Sequence, residues 1–411
     1  MSLTSRKTFL HSAGLIATIA VGVAAFMMVA QRDGDVTIGT AITDYTTPGL
    51  RSASAVPSEL LNDTFGSVQV WTGSELLAFG SDISKGMERS GGVAYNPAAG
   101  AWRRLAASSF EVPVANPVGL WTGDRLIILG TLCGNNSADP QDEAPVCSPG
   151  ALSAAAYHPK DDRWEAIEPP PHDRSAYNSG SSGGDQRALG AVGGNAFFTV
   201  SGATWMLSPS DNKWQAVPGT PATTQAYCAG DQSIAAVQAD VAAKGMWTVS
   251  TFRPGDTEWT NYPGVKLATG DSEYAKVVCG PTGALLISVD LQKGQFFDDS
   301  VGGWKVVPPA PSDLATRPPP PGAKATEIPP IDTFLWGAWT GSSYAFWQPD
   351  VEADETSPAW PGVALSLDPS IGKWTSAAPG PRGDRGLVWI DGYSLSIGRM
   401  GDQLAAVIYV P

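Results

Sequence analysis

The sequence predicts an all-β fold: a seven-bladed β-propeller of four-stranded antiparallel blades, closed by an N-terminal strand and preceded by one N-terminal hydrophobic helix. Three observations predict it. Two short phrases alternate along almost the whole chain after residue 65. Each copy of the second phrase ends on a tryptophan or its equivalent at a fixed offset. The last unit is one strand short at Pro411, while a strand-like segment stands unassigned before the first unit.

The chain opens with Arg6 and Lys7 ahead of a mostly apolar run from Ala13 to Ala30, closed by Gln31-Arg32-Asp33. Residues 1–32 therefore read as a signal anchor or signal peptide. The run is long for a cleaved signal, and Met28-Val29-Ala30 is a poor small-x-small cleavage site. An uncleaved helix with its positive end inside places the rest of the chain outside the membrane. Ser5-Arg6-Lys7-Thr8-Phe9-Leu10 resembles a twin-arginine export signal, with Lys in place of the second Arg. Residues 33–44 read as a polar tether and residues 45–411 as the propeller.

The first repeated phrase is Leu120-Trp121-Thr122-Gly123-Asp124-Arg125-Leu126-Ile127-Ile128-Leu129-Gly130, with strong copies at Val70–Gly80 and Ala338–Phe346. Weaker copies lie at Val192–Phe198, Cys228–Gln232, Gly280–Leu286 and Trp389–Tyr393. Each is an apolar run, a Gly-bearing turn and a second apolar run. That pattern makes a β-hairpin, because tight hairpin turns need positive φ and Gly adopts it without a Cβ clash. The second phrase is Tyr157-His158-Pro159-Lys160-Asp161-Asp162-Arg163-Trp164. It recurs as Tyr95-Asn96-Pro97 with Trp102, Leu207-Ser208-Pro209 with Trp214, Phe252-Arg253-Pro254 with Trp259, and Leu367-Asp368-Pro369 with Trp374; Phe297 leads to Trp304 without the proline. Each reads as a strand, a polar turn and a strand opened by Trp. These six tryptophans are expected to pack between blades, as are Trp71, Trp121 and Trp339 beside the hairpin turns.

Two hairpins make a four-stranded blade, and radial repetition of blades protects the sheet edges. Residues 387–398 give the first two strands of a seventh blade and Leu404–Pro411 its third. The fourth is expected from Tyr45–Val56. The Gly turn, the apolar strand ending in Gly, and Tyr-x-Pro with its Trp resemble kelch repeats over residues 45–411. The usual double Gly after the second strand is mostly single here, as at Gly80 and Gly130. The resemblance implies a propeller and leaves its function open. Galactose oxidase carries a similar propeller and holds copper through Tyr and His, but the histidines of this chain do not match those places.

A net charge of −14 disfavours nucleic acid as a partner. The four cysteines suggest two disulfides in an exported domain. Cys133 and Cys147 bracket an insert in the second blade. Cys228 and Cys279 end the inner strands of neighbouring blades. The expected pairs are Cys133–Cys147 and Cys228–Cys279. Without a Cys-x-x-Cys or neighbouring histidines, no metal site is expected, and no cofactor motif is present.

All the long segments fall on one face of the ring. They are Thr131–Gly150, Pro169–Gly184, Val307–Ile331 and Gln348–Pro361. That face is the expected binding surface. Its candidate ligand residues are Tyr177 and Asn178 in a Ser/Gly-rich loop, and the acidic cluster Asp350, Glu352, Asp354 and Glu355. The cluster reads first as a solvated charge run and second as oxygen ligands for Ca²⁺. Of the histidines outside the leader, His158 belongs to a turn and His172 to a Pro-rich link. Neither has a nucleophile motif nearby, so no catalytic residue is assigned. The sequence reading is an extracytoplasmic, membrane-tethered, non-catalytic module that binds a protein or a cell-envelope carbohydrate. Its alternative is a carbohydrate-active enzyme with carboxylates at the channel mouth.

Overall fold

The structure is a computed structural model. The residues it describes are 36–38, 41–58, 60, 68–80, 90–110, 113–134, 146–172, 186–221, 224–240, 245–267, 275–288, 290–312, 336–348, 363–378, 387–390, 392–400 and 403–411. They form seven antiparallel sheets arranged as a closed ring of blades. Blades 1 to 6 cover residues 68–104, 114–167, 187–217, 224–266, 275–307 and 336–377. Blade 7 takes its first three strands from residues 388–410 and its outer strand from Gly49–Ala55. The closing strand expected at Tyr45–Val56 is therefore in place.

Blades stack face to face, so the two middle strands of each are covered on both sides. Leu76–Gly80, Gly283–Ser288 and Tyr344–Gln348 are buried at every position. Such strands read as continuous apolar runs rather than as an alternation. The outer strands are half open, and Ala101–Arg104 and Lys373–Ala377 each bury one position, the tryptophan. The three strong hairpin copies share one turn. The amide of Thr72, Thr122 or Thr340 donates to the carbonyl three residues on, and Gly73, Gly123 or Gly341 takes φ near 100°.

The repeated tryptophan has a common task. Its indole N–H donates to the backbone that leaves the preceding blade. Trp164 reaches Ala106, Trp214 reaches Glu168, Trp304 reaches Pro263 and Trp374 reaches Pro308, at 2.6–2.9 Å. Trp102 donates instead to the Ser54 hydroxyl on the closing strand, at 3.0 Å. Blade 7 has no outer-strand tryptophan, and there the Tyr409 hydroxyl donates to Ala378 O at 2.8 Å. Trp259 is the exception: it is buried, and its N–H finds no acceptor among the described residues. Its blade also departs from the pattern in the outer strand, which is split into Thr260–Asn261 and Val265–Lys266.

The N-terminal segment wraps the seam between blades 7 and 1 like a strap. Val36–Ile38 pairs with the outer strand of blade 1 and makes it five-stranded. The chain then passes beneath both blades, where the Ile42 amide donates to Pro97 O at 2.8 Å and the Tyr45 ring lies 4.8 Å from that of Tyr393. It rises again as Gly49–Ala55 along blade 7. So the stretch read as a polar tether, residues 33–44, lays Val36–Ile38 and Ile42 against the propeller. The expected hydrophobic helix over Ala13–Ala30 lies outside the described residues. Among the described residues, no helix is long and apolar enough to cross a membrane.

Candidate functional site

Each inner strand begins on the face that carries the loops between second and third strands and the links between blades. This is the long-loop face. The seven strand starts ring the mouth of the central channel there. In three consecutive blades the inner strand is bulged near its start, between Ala115 and Val118, Ala188 and Gly190, and Thr224 and Ala226. A bulge breaks the ladder and re-aims side chains, and bulges gather at barrel rims and binding sites. Asn116 in the first bulge has φ 46°, a left-handed conformation that Asn tolerates. Its carbonyl accepts from Gln186 Nε2 at 3.1 Å, which ties blade 2 to blade 3 at the mouth.

Described inner-strand residues carry two side-chain charges, and both are positive: exposed Arg187 and half-buried Lys276. Lys276 stands opposite Ile287, whose side chain packs toward blade 6. The ammonium lies 5.2 Å from the Trp336 ring of that blade. A cation over an indole face gains about 0.5–1 kcal/mol at an exposed site. In a chain of net charge −14, the described inner-strand residues are thus charged only positively.

Cys228 and Cys279 are disulfide-bonded between the inner strands of blades 4 and 5, at a sequence separation of 51. This is the pairing read from the repeat. Cys133 and Cys147 face each other as Cα partners on adjacent strands of blade 2. Residues 135–145, between them in sequence, lie outside the described residues. Tyr177, Asn178, Asp350, Glu352, Asp354 and Glu355 also lie outside the described residues. Lys276, Trp336 and Arg187 were not singled out from sequence; each lies at the start of an inner strand, a few residues ahead of a Gly turn.

The opposite face is held by polar ties between blades. Arg103 of blade 1 grips the Glu75 carboxylate through Nε and Nη2 at 3.0 and 2.7 Å. Its Nη1 reaches Tyr157 Oη at 2.9 Å and Asp162 Oδ1 at 3.2 Å in blade 2. Burial opposes the Arg103 charge, but Glu75 and Tyr157 more than offset it and raise its pKa. Burial also pushes the Tyr157 hydroxyl up. One seam further on, Arg125 Nη1 donates to Asn212 Oδ1 at 2.6 Å, and Asn212 Nδ2 donates to Glu165 Oε1 at 2.7 Å. Asp162 and Asn212 both have φ near 50° in the same turn, two residues before a repeat tryptophan. One turn position thus sets the local bend and supplies the tie. His158 is engaged here, with Nε2 3.0 Å from Glu165 Oε2. His172 Nδ1 lies 3.0 Å from Pro170 O. Among the described residues, no group of three or more His, Cys, Asp or Glu side chains is arranged to hold a metal.

No protein-family model matches the sequence, and no curated protein matches it. Among solved structures, the chain is similar to the β-propeller domain of Myceliophteria thermophila Cps50 (Swd1), at 10% identity and a TM-score of 0.41, over 90% of this chain and 100% of that one. It is similar to Kuenenia stuttgartiensis hydrazine synthase at 9% identity and a TM-score of 0.46, over 83% of this chain and 94% of that one.

Proposed function

We propose that this chain is an extracytoplasmic, membrane-tethered, kelch-like propeller that binds a protein or a cell-envelope carbohydrate through its long-loop face and performs no reaction on it. The observation that carries the reading is the channel mouth. Three bulged inner strands, Lys276 over Trp336, and Arg187 lie around it. Aromatic faces and cations are what a polar or acidic partner needs for stacking and charge pairing. The alternative, a glycoside hydrolase, needs two carboxylates across the mouth. Bridging Cys133 to Cys147 is part of this reading. Opposite Cα atoms on antiparallel strands lie about 4.5–5.5 Å apart, inside the range a disulfide spans.

The test is thermal unfolding of the full-length chain in detergent against neutral and acidic envelope polysaccharides. A ligand that binds only the folded state raises the midpoint in a saturable way. The expected result is a shift with one glycan class that Lys276→Ala and Trp336→Ala both abolish. A shift that survives both changes moves the site away from the mouth. No shift with any glycan overturns the carbohydrate arm and leaves a protein partner, sought by cross-linking at the same residues.

A further inference from the structure

We propose that the rim of blade 1, where it borders the long-loop face, is the surface of the propeller that stands against the membrane. This rests on the anchor reading of the N-terminal apolar run. The structural part is the course of the strap. Val36 stands opposite Arg103 and Ile38 opposite Ala101. Ala101–Arg104 is an outer strand, so it runs toward the long-loop face. The antiparallel Val36–Ile38 therefore descends from that face. The next contacts agree: Ile42 and Tyr45 meet Pro97 and Tyr393, which belong to turns of the opposite face. The chain thus arrives from above, at the outer edge of blade 1.

Chain length then limits where the membrane lies. The apolar run ends at Ala30, and residues 31–35 separate it from Val36. From Ala30 to Val36 is six residue steps, which fully extended span at most about 22 Å. The headgroup layer takes roughly 6 Å of that. The remaining ~16 Å is close to the ~14 Å width of a four-stranded blade at normal strand spacing. The membrane surface therefore lies within about one blade width of the blade 1 rim. Blades 4 and 5 lie across the ring, about 28 Å or two blade widths from the point where the chain arrives. Blade 1 is therefore the part of the ring held at the membrane, and blades 4 and 5 are free to stand off from it.

The experiment uses the full-length chain in lipid vesicles, with p-benzoylphenylalanine placed either at Arg104, exposed on the outer strand of blade 1, or at Val306, 77% exposed on the outer strand of blade 5. An alkaline wash comes first. If the wash releases the chain, the anchor reading fails and the inference falls with it. If the chain stays, light should give several-fold more lipid adduct at Arg104 than at Val306. Equal adduct at the two sites, or none at either, overturns the orientation while leaving the anchor intact. A ten-residue Gly/Ser insert after Gly34 adds roughly 17 Å of reach and should erase the contrast. A contrast that survives the insert also overturns the proposal, because some other contact must then hold blade 1 down.

Discussion

Two seams of the ring are closed by different means. Between blades 4 and 5 the closure is covalent: the Cys228–Cys279 bridge joins inner strands, beside a core of Trp247, Leu267, Leu286 and Phe297. Between blades 7 and 1 the two ends of the chain meet, and the closure is a wrapped strap. Val56 and Leu60 pack with Tyr95 and Trp102 of blade 1 and with Leu395 and Ile397 of blade 7. Gln69 adds a pair of hydrogen bonds that imitates a strand: its Nε2 donates to Ile397 O at 3.0 Å and its Oε1 accepts from Ile397 N at 2.6 Å. A ring without a complete terminal blade opens where its ends meet, so this seam carries the fold. The disulfide sits where continuous chain already joins the neighbours, and it tightens the ring rather than closing it.

Removing the strap should have the largest effect. A chain that starts at residue 57 leaves Gln403–Val410 as an open sheet edge and takes the Ser54 acceptor from Trp102. The expected loss matches or exceeds the ~5–15 kcal/mol that holds an ordinary domain together, and the bare edge should promote association. Near-ultraviolet circular dichroism and gel filtration would read this as lost tertiary signal and oligomers. A cooperative melt from the truncated chain would show that the strap does not close the ring.

Opening the other seam should cost less. For a sequence separation of 51, the loop-entropy argument gives about 4 kcal/mol for the bridge. Urea unfolding of the Cys228→Ser, Cys279→Ser double variant should show that loss with the ring still folded. A collapse like that of the truncated chain would erase the distinction between the seams.

Alkali and reductant should act on different seams. Tyr95 lies at the strap seam, and burial pushes its hydroxyl to about 12. Below about pH 10 that hydroxyl is neutral in the folded and unfolded chains, so its contribution to stability is flat there. Above it the unfolded chain ionises first and binds fewer protons, so stability falls. The fall is about 1.4 kcal/mol per pH unit until the folded pKa is reached. Stability measured between about pH 9 and about pH 11 should drop less steeply in Tyr95→Phe, whether or not the disulfide is reduced. An unchanged slope would mean that this hydroxyl ionises without opening the seam.

The two seams also differ in how far the sequence foretold them. Gly49–Ala55 was legible because Leu404–Pro411 was a third strand with no fourth, and the segment before blade 1 had nowhere else to go. Cys228 and Cys279 were legible because repeat position fixes spatial position. Val36–Ile38 was not, since three residues after a polar stretch carry no period. The Arg103 tie to Asp162 was not legible either. It depends on which blade faces which turn, and Asp162 reads from sequence as an ordinary turn residue. At the channel mouth, Arg187 and Lys276 sit in short strands whose starts the repeat does not mark, and only the ring brings them to one rim.

The smallest expected effect tests whether the repeated indole bond is a real tie. Trp102 is fully buried with its N–H on Ser54, whereas Trp259 is almost as buried with no acceptor among the described residues. Changing either to Phe removes similar apolar bulk. Only Trp102→Phe also strips a buried hydroxyl of its donor, which costs roughly 1 kcal/mol more. Ser54→Ala supplies the other half of a double-mutant cycle, and the coupling should fall in the same range. Equal losses at Trp102 and Trp259 would mean that the tryptophans act through packing alone. The strap would then be held by its strand pairing and apolar contacts, and the irregular outer strand of blade 4 would weaken nothing.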